Sequence, residues 1–287
     1  MTGQVDIILA CKNAENTIEE CISSILSQTF QAFNLFIFDD CSDDNTVEII
    51  KSFNDKRITL IKSNKNIGTY AAKNFILKNF CKSEFVALHD ADDISLPARI
   101  KKQVSALRGN KLISCLGTGV EEFWTDNKFK PHTMSDSQEV DSFRKNYYPE
   151  IITRSTLQAV YENITSDDKI SLFFKQKFCM NGTVMFRRTV LESLGGWDGK
   201  TRIGADTEIF IRALLAGEVR NLKDVLYKRR FHESSLTASK ETGIGSEIRK
   251  KYCQKLIPVV QKTLAGQKIK RDMFFPEFDF EVHNCAD

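Results

Sequence analysis

Along the first 116 residues the apolar positions switch repeatedly between two spacings. Short continuous runs have the length of buried strands: Val5 to Ala10, Phe33 to Phe38, Ile58 to Ile61, Phe85 to Leu88 and Leu112 to Leu116. Between them the spacing becomes helical. Ile18, Cys21, Ile22, Ile25 and Leu26 follow the i, i+3, i+4, i+7, i+8 stripe, and Val47, Ile50 and Phe53 make a shorter one. Ala72, Phe75, Ile76 and Phe80 form a third stripe after the turn Asn66-Ile67-Gly68. Ile100, Val104 and Leu107 form a fourth, led by Pro97, whose missing N–H costs nothing at a helix start. This alternation predicts a mostly parallel sheet with helices on both faces. From about 117 to 178 the periodicity weakens, Pro131 and Pro149 interrupt it, and loops with short helices are expected. Thr183 to Phe186 reads as a strand and Arg188 to Leu194 as a helix stopped by Gly195-Gly196-Trp197-Asp198. A helix from Ala205 should bury Ile209, Phe210, Ala213 and Leu214, and Val225 to Arg229 should be a late strand. A long helix, Glu247 to Leu264, should turn Ile248, Tyr252, Leu256 and Val259 inward and kink at Pro258. No run approaches the roughly 18–20 apolar residues of a membrane span.

Two of the strands end in carboxylates. The second runs into Asp39-Asp40-Cys41-Ser42-Asp43-Asp44, and the fourth into His89-Asp90-Ala91-Asp92-Asp93. Crowded anions repel, and a hard divalent cation with oxygen ligands is the usual reason to keep them together. A solvated turn is the plainer alternative, since Asp is a turn residue. In a parallel sheet both clusters lie along one edge, where α/β proteins bind ligands. That co-location favours the cation.

Composition narrows the classes. The 41 Lys and Arg against 38 Asp and Glu leave a net charge of +3, too little to argue for nucleic acid. The cationic residues cluster between Arg249 and Arg271, which reads as a solvated helix face or a peripheral contact with an anionic membrane. Eight cysteines lie without C-x-x-C pairs. With no charged leader region, they point to reduced thiols and a cytoplasmic protein, peripheral at the inner membrane face if the basic segment binds lipid.

The chain resembles the inverting glycosyltransferases of family 2, which have the GT-A fold. The resemblance rests on Val5 to Asn13, Ser23 to Thr29, Asp39 to Asp44, Asn66-Ile67-Gly68 with Ala72-Lys73-Asn74, Asp90 to Asp93, and Gly204-Ala205-Asp206, in the family's order and at about its spacings over residues 5 to 237. It implies an α/β, Rossmann-like, mostly parallel central sheet flanked by helices. Residues 1–116 would be the nucleotide-binding half, 117–237 the acceptor half and 238–287 a C-terminal helical extension.

The resemblance also implies roles. Ala10, Lys12 and Asn13 would meet the nucleotide, Asp39 or Asp40 would accept the N3–H of uracil, and Lys73 would lie near the nucleotide. Asp90 and Asp92 would also approach the donor. Asp92 and Asp93, with His232, would hold Mn²⁺ or Mg²⁺. Asp206 would be the general base, although Ala205 stands where many members carry Glu; a helix cap is the structural alternative for Asp206. Trp197 would stack on an acceptor sugar or anchor the core. The implied donor is UDP-linked and the implied acceptor a glycan or a lipid-linked glycan. A sugar-nucleotide nucleotidyltransferase is a second reading, opposed by the glycine-free Ala10 to Asn16 segment. A non-catalytic, Mg²⁺-binding α/β module is a third.

Overall fold

Each apolar run of the first half forms a strand in the computed structural model, which describes residues 4–124, 143–162, 178–232, 246–269 and 271–286. The strands β1 (Val5–Cys11), β2 (Phe33–Asp39), β3 (Ile58–Ser63) and β4 (Phe85–Asp90) pair in parallel, in the order β3-β2-β1-β4. They alternate with helices α1 (Ile18–Leu26), α2 (Thr46–Lys51) and α3 (Thr69–Asn79). After β4 come the short β5 (Ile94–Ser95), helix α4 (Arg99–Gly109) and the long β6 (Ile113–Trp124). Next are β7 (Phe143–Asn146), β8 (Ile151–Ile152) and α5 (Arg154–Glu162), then β9 (Met185–Arg187), α6 (Arg188–Leu194), α7 (Ala205–Ala213) and β10 (Glu218–Phe231). The chain closes with α8 (Glu247–Leu264) and β11 (Phe280–Asn284).

The sheet runs β11-β3-β2-β1-β4-β9-β6-β10-β5. β9 is antiparallel to both β4 and β6, whereas β6 and β10 are parallel to each other. Because successive strand residues point to opposite faces, the sheet has a core on each side. Val5, Ile7 and Leu9 of β1 pack with α1, α2 and α4. Ile8, with Phe36 and Phe38 of β2 and Val86 and Leu88 of β4, packs on the face covered by α3, α6, α7 and α8.

Three departures from the sequence reading have physical causes. β6 runs eight residues past Leu116, and Gly117 and Gly119 within it mark close approach to neighbouring chain. A Cβ on Gly117 would lie 2.3 Å from Asn221 Oδ1, and one on Gly119 would lie 3.0 Å from the Asp224 carbonyl. β10 starts earlier than Val225, its charged residues interrupting the apolar signal and its pairing with β6 shifting register near Leu222 and Val225. The C-terminal segment is not wholly helical. After α8 it crosses the α3 face and ends as β11, antiparallel to β3. Phe278, Phe280 and Val282, spaced by two, carried that signal. In α8, Tyr252, Leu256 and Val259 are buried as expected, but Ile248 in the first turn is exposed. The helix continues through Pro258. The expected boundary at 237/238, and Lys270 of the basic cluster, lie outside the described residues.

Candidate active site

Register brings the two acidic clusters together. Cys11 at the end of β1 pairs with Asp39 on one side, and Ala10 pairs with Asp90 on the other. Beyond β1 and β2 the chain turns through Asn13 (φ 52°) and Cys41 (φ 65°), both in the left-handed region that Asn tolerates better than most residues. The two loops are tied to each other. The Asn13 N–H donates to Ser42 Oγ at 2.9 Å, and the Asp43 N–H donates to Asn13 Oδ1 at 3.1 Å. Lys12 and Asn13 are exposed at this mouth.

Asp39 and Asp40 have different jobs. Asp40 accepts the Ile67 N–H at 2.6 Å and the Gly68 N–H at 2.8 Å, one on each carboxylate oxygen. It thereby clamps the turn into α3, where Gly68 sits at φ 90°. Burial pushes the Asp40 carboxyl up, with the two backbone donors working against that. Asp39 is fully buried; its Oδ2 accepts the Ser42 N–H at 3.1 Å and its Oδ1 has no partner. An ionised carboxylate only accepts, so Asp39 Oδ1 suits a ligand N–H. Asp40→Ala should therefore cost stability, since it strands two buried amides at roughly 1–3 kcal/mol each. Asp39→Ala should instead weaken donor binding by about 10–100-fold, the worth of a hydrogen bond to a charged group. Chemical denaturation and nucleotide titration of the two variants separate these outcomes.

The turn after β4 spreads its acids over distinct partners. Asp90 Oδ1 receives the Asn181 amide at 3.2 Å and lies 3.9 Å from Lys73 Nζ. The Asp90 N–H donates to the Tyr227 hydroxyl at 3.2 Å. Asp92 Oδ2 lies 2.9 Å from His232 Nε2, both side chains about one-third exposed (32% and 30%). Asp93 faces inward, 2% exposed, and accepts the Arg230 N–H at 2.8 Å, locking the acidic turn onto β10. Burial raises the Asp90 and Asp93 carboxyls, and neighbouring acids, Asp92 among them, raise them further. Extra positive charge is thus favoured here. Among the described residues, no three His, Cys, Asp or Glu side chains gather to enclose a cation. Asp92 and His232 fit a partial shell for a divalent ion: one hard oxygen donor and one imidazole, with positions left for phosphate oxygens.

Lys73 is a buried lysine, 1% exposed, and its Nζ lies 5.7 Å above the Tyr70 ring. Both residues come from α3, the helix that Asp40 holds in place. The Tyr70 hydroxyl donates to Asp206 Oδ1 at 3.3 Å. Asp206 lies in the first turn of α7, whose N-cap position is taken by Gly204 (φ 82°). Asp206 is linked to Asp90 through α3: Tyr70 reaches Asp206, and Lys73, 5.7 Å from the Tyr70 ring, stands 3.9 Å from Asp90. Burial first, and Asp206 next, keep the Tyr70 phenol protonated and able to donate.

One expected participant, Trp197, sits elsewhere. Trp197 is fully buried and packs edge-on to Phe186 at 6.4 Å, so it anchors the core and presents no face to a sugar. Its position follows from Asn74, which accepts the Trp197 N–H at 2.9 Å. His89 is also buried, with Nδ1 2.8 Å from the Asp90 carbonyl oxygen and 3.4 Å from Cys21 Sγ. Burial and the nearby Arg99 push it down to about 3, so it stays neutral. Arg99 itself, fully buried, donates to the Leu88 carbonyl at 2.6 Å and to Ser95 Oγ at 2.8 Å beneath the acidic turn. Sequence reasoning passed over Tyr70, Asn181 and Tyr227. Tyr70 could have been found by its place between Gly68 and Lys73. Asn181 and Tyr227 carried no local signal, because their approach to Asp90 depends on the fold. A Cβ on Gly182 would lie 2.2 Å from the Tyr227 hydroxyl and 2.9 Å from Asp90 Oδ2, which shows how close that approach is.

A Rossmann-like α/β sheet with two acidic strand ends and a third carboxylate opposite defines the class of nucleotide-dependent transferases with the GT-A fold. The chain belongs to glycosyl transferase family 2, whose family model matches residues 6–195. EpsE of Bacillus subtilis (strain 168), provisionally named a glycosyltransferase, is 29% identical over 84% of this chain and 80% of its own length. WfgD of Escherichia coli, named UDP-Glc:alpha-D-GlcNAc-diphosphoundecaprenol beta-1,3-glucosyltransferase, is 37% identical over 38% of this chain and 42% of its own. Among solved structures, Staphylococcus aureus TarS 1-349 in complex with UDP-GlcNAc superposes with a TM-score of 0.57 at 19% identity, over 81% of this chain and 60% of that one. The mannosyltransferase PcManGT from Pyrobaculum calidifontis, in complex with GDP-Man and Mn²⁺, gives 0.55 at 16% identity, over 92% of this chain and 75% of that one. These structural likenesses establish the GT-A fold. The protein is a glycosyltransferase enzyme. Among the described residues no helix is long and apolar enough to cross a membrane.

Proposed function

We propose that the protein transfers a sugar from a uridine diphosphate donor to a hydroxyl of a lipid-linked or polymeric glycan, with inversion at the anomeric carbon. The observation that carries this is the chain of contacts that joins Asp206 of α7 to Asp90 of β4 through Tyr70 and Lys73 of α3. The unpartnered Asp39 Oδ1 supports the uridine: it is an acceptor where uracil N3–H would donate. WfgD supports the donor class and the acceptor by its printed name.

In the displacement, Asp206 takes the proton of the acceptor hydroxyl. The acceptor oxygen attacks the anomeric carbon as the bond from that carbon to the diphosphate oxygen breaks. The electron pair leaves with the nucleoside diphosphate. One displacement inverts configuration, so an α-linked donor yields a β-linked product. Tyr70 orients Asp206 by donating to one of its oxygens. Lys73, fixed beside Asp90, places a cation where negative charge grows on the leaving group. Asp92 and His232 would hold a divalent cation, which when bound supplies Lewis-acid stabilisation of the leaving diphosphate.

A panel of nucleotide sugars tests this. Slow release of UDP from a UDP-sugar, stopped by a chelator and restored by Mn²⁺ or Mg²⁺, is the expected result. Asp92→Ala should raise the metal concentration required by roughly 10–100-fold or more, as loss of a ligand or its partner does. Release of pyrophosphate would instead mean nucleotidyl transfer.

A further inference from the structure

Two buried polar side chains near the site have no part in the chemistry above. Asn74 follows Lys73 on α3. Its amide donates to the carbonyls of Trp197 at 2.9 Å and Phe274 at 3.0 Å, while its oxygen accepts the Trp197 N–H. Glu208, two residues after Asp206 on α7, is 1% exposed. Arg271, from the segment after α8, donates to Glu208 Oε1 from Nε at 2.7 Å and reaches it from Nη2 at 2.5 Å. Arg212 is the other cation at Glu208, but it stands 3.5 Å away. Its two terminal nitrogens are committed to the carbonyls of Leu194 at 2.6 Å and Gly196 at 2.7 Å.

The segment carrying Arg271 is built against the site's scaffold along its length. A Cβ on Gly195 would lie 1.8 Å from the Arg271 carbonyl oxygen, and one on Gly199 would lie 2.1 Å from that of Phe274. Farther on, Phe275, Phe278 and Phe280 pack edge-on around Phe75 of α3, with ring centres 4.9–5.3 Å apart. The segment thus touches the helix of Tyr70 and Lys73 and the helix of Asp206. It lies, like Asp206 itself, outside residues 6–195 that the family model matches.

We propose that Arg271 is a positioning residue for the transfer: by neutralising buried Glu208 it fixes the first two turns of α7, and with them Asp206, against Tyr70. Without it, Glu208 keeps one more distant cation. A buried carboxylate so placed seeks water, and α7 must shift or fray to admit it. The inference rests on Asp206 as the base.

The test compares Arg271→Ala and Arg271→Lys with Phe278→Ala, which loosens the same segment on α3 but leaves Glu208 its partner. Amide hydrogen exchange over 205–208, kcat and donor KM are read below each variant's melting range. Arg271→Ala should speed exchange over 205–208 and lower kcat by up to ~10²-fold, the cost of a small misplacement of a reacting group, with donor KM unchanged. Arg271→Lys should recover part of both. Phe278→Ala should lower the melting temperature and leave kcat near wild type. Should Arg271→Ala fail to fold, Arg271→Lys carries the same readouts at smaller size. Unchanged exchange over 205–208, undiminished kcat, or an equal kcat loss in Phe278→Ala would each overturn the proposal. Asp206→Asn measured alongside separates the two ideas: normal turnover there removes the base, whereas an inactive Asp206→Asn beside a fully active Arg271→Ala removes only the positioning role.

Discussion

Asp206→Asn is expected to lower the rate of sugar transfer by ~10²–10⁴-fold, the usual contribution of a positioned general base. Donor affinity and the denaturation midpoint should stay at their wild-type values. The substitution keeps the shape of the side chain and an oxygen for the Tyr70 hydroxyl, so α7 has no reason to move. What is lost is the ability to take a proton. The cap reading predicts something else. The N-cap position of α7 is Gly204, two residues before Asp206, and a loss of stability without a loss of rate would be needed to revive the cap reading. Single-turnover measurements at saturating donor and acceptor would isolate the chemical step from product release.

Trp197→Ala is expected to destabilise the protein by roughly 3–5 kcal/mol, as truncation of a large buried aromatic does. The indole is fully enclosed, and Phe186 and Phe210 stack behind it at 6.2 Å. Its backbone is also pinned by Asn74 at both the N–H and the carbonyl. The cavity would therefore open between α3 and the turn that leads to α7. A denaturant titration should show a lower midpoint with an unchanged slope. If Trp197 contacted the acceptor instead, the variant would keep its midpoint and show a raised acceptor KM.

Much of the fold was legible because the first half obeys local rules. Val5 to Leu9 and Phe33 to Phe38 are apolar on both faces, as strands covered by helices must be, and α1 carries an unbroken stripe from Ile18 to Leu26. The co-location of Asp39 and Asp90 followed from parallel order alone. The second half was harder for identifiable reasons. The apolar pattern weakens at Gly117 and Gly119, which in the strand serve close approach to Asn221 and Asp224. The charges of Arg220, Lys223 and Asp224 hid the start of β10. In the site, pattern could bring Asp90, Asp92 and Asp93 forward but could not divide them. Their division is tertiary: Arg230 turns Asp93 inward, His232 meets Asp92, and Lys73 with Asn181 takes Asp90. The same holds for Asp39 and Asp40, identical in sequence terms until the turn at Ile67 and Gly68 claims both oxygens of one. Sequence left Trp197 open between an acceptor contact and a core anchor because an aromatic after two glycines looks the same whether it faces solvent or core; its burial decides for the core.

The central claim is that Asp39, the turn at Asp90 to Asp92, and Asp206 surround a single bound nucleotide sugar. A crystal structure with a non-hydrolysable UDP-sugar and Mn²⁺ measures this directly. The account predicts uracil N3 within hydrogen-bond distance of Asp39 Oδ1, the diphosphate beside Asp92, His232 and Lys73, and the anomeric carbon on the side facing Asp206. A nucleotide seated elsewhere, or a sugar directed away from Asp206, would contradict it.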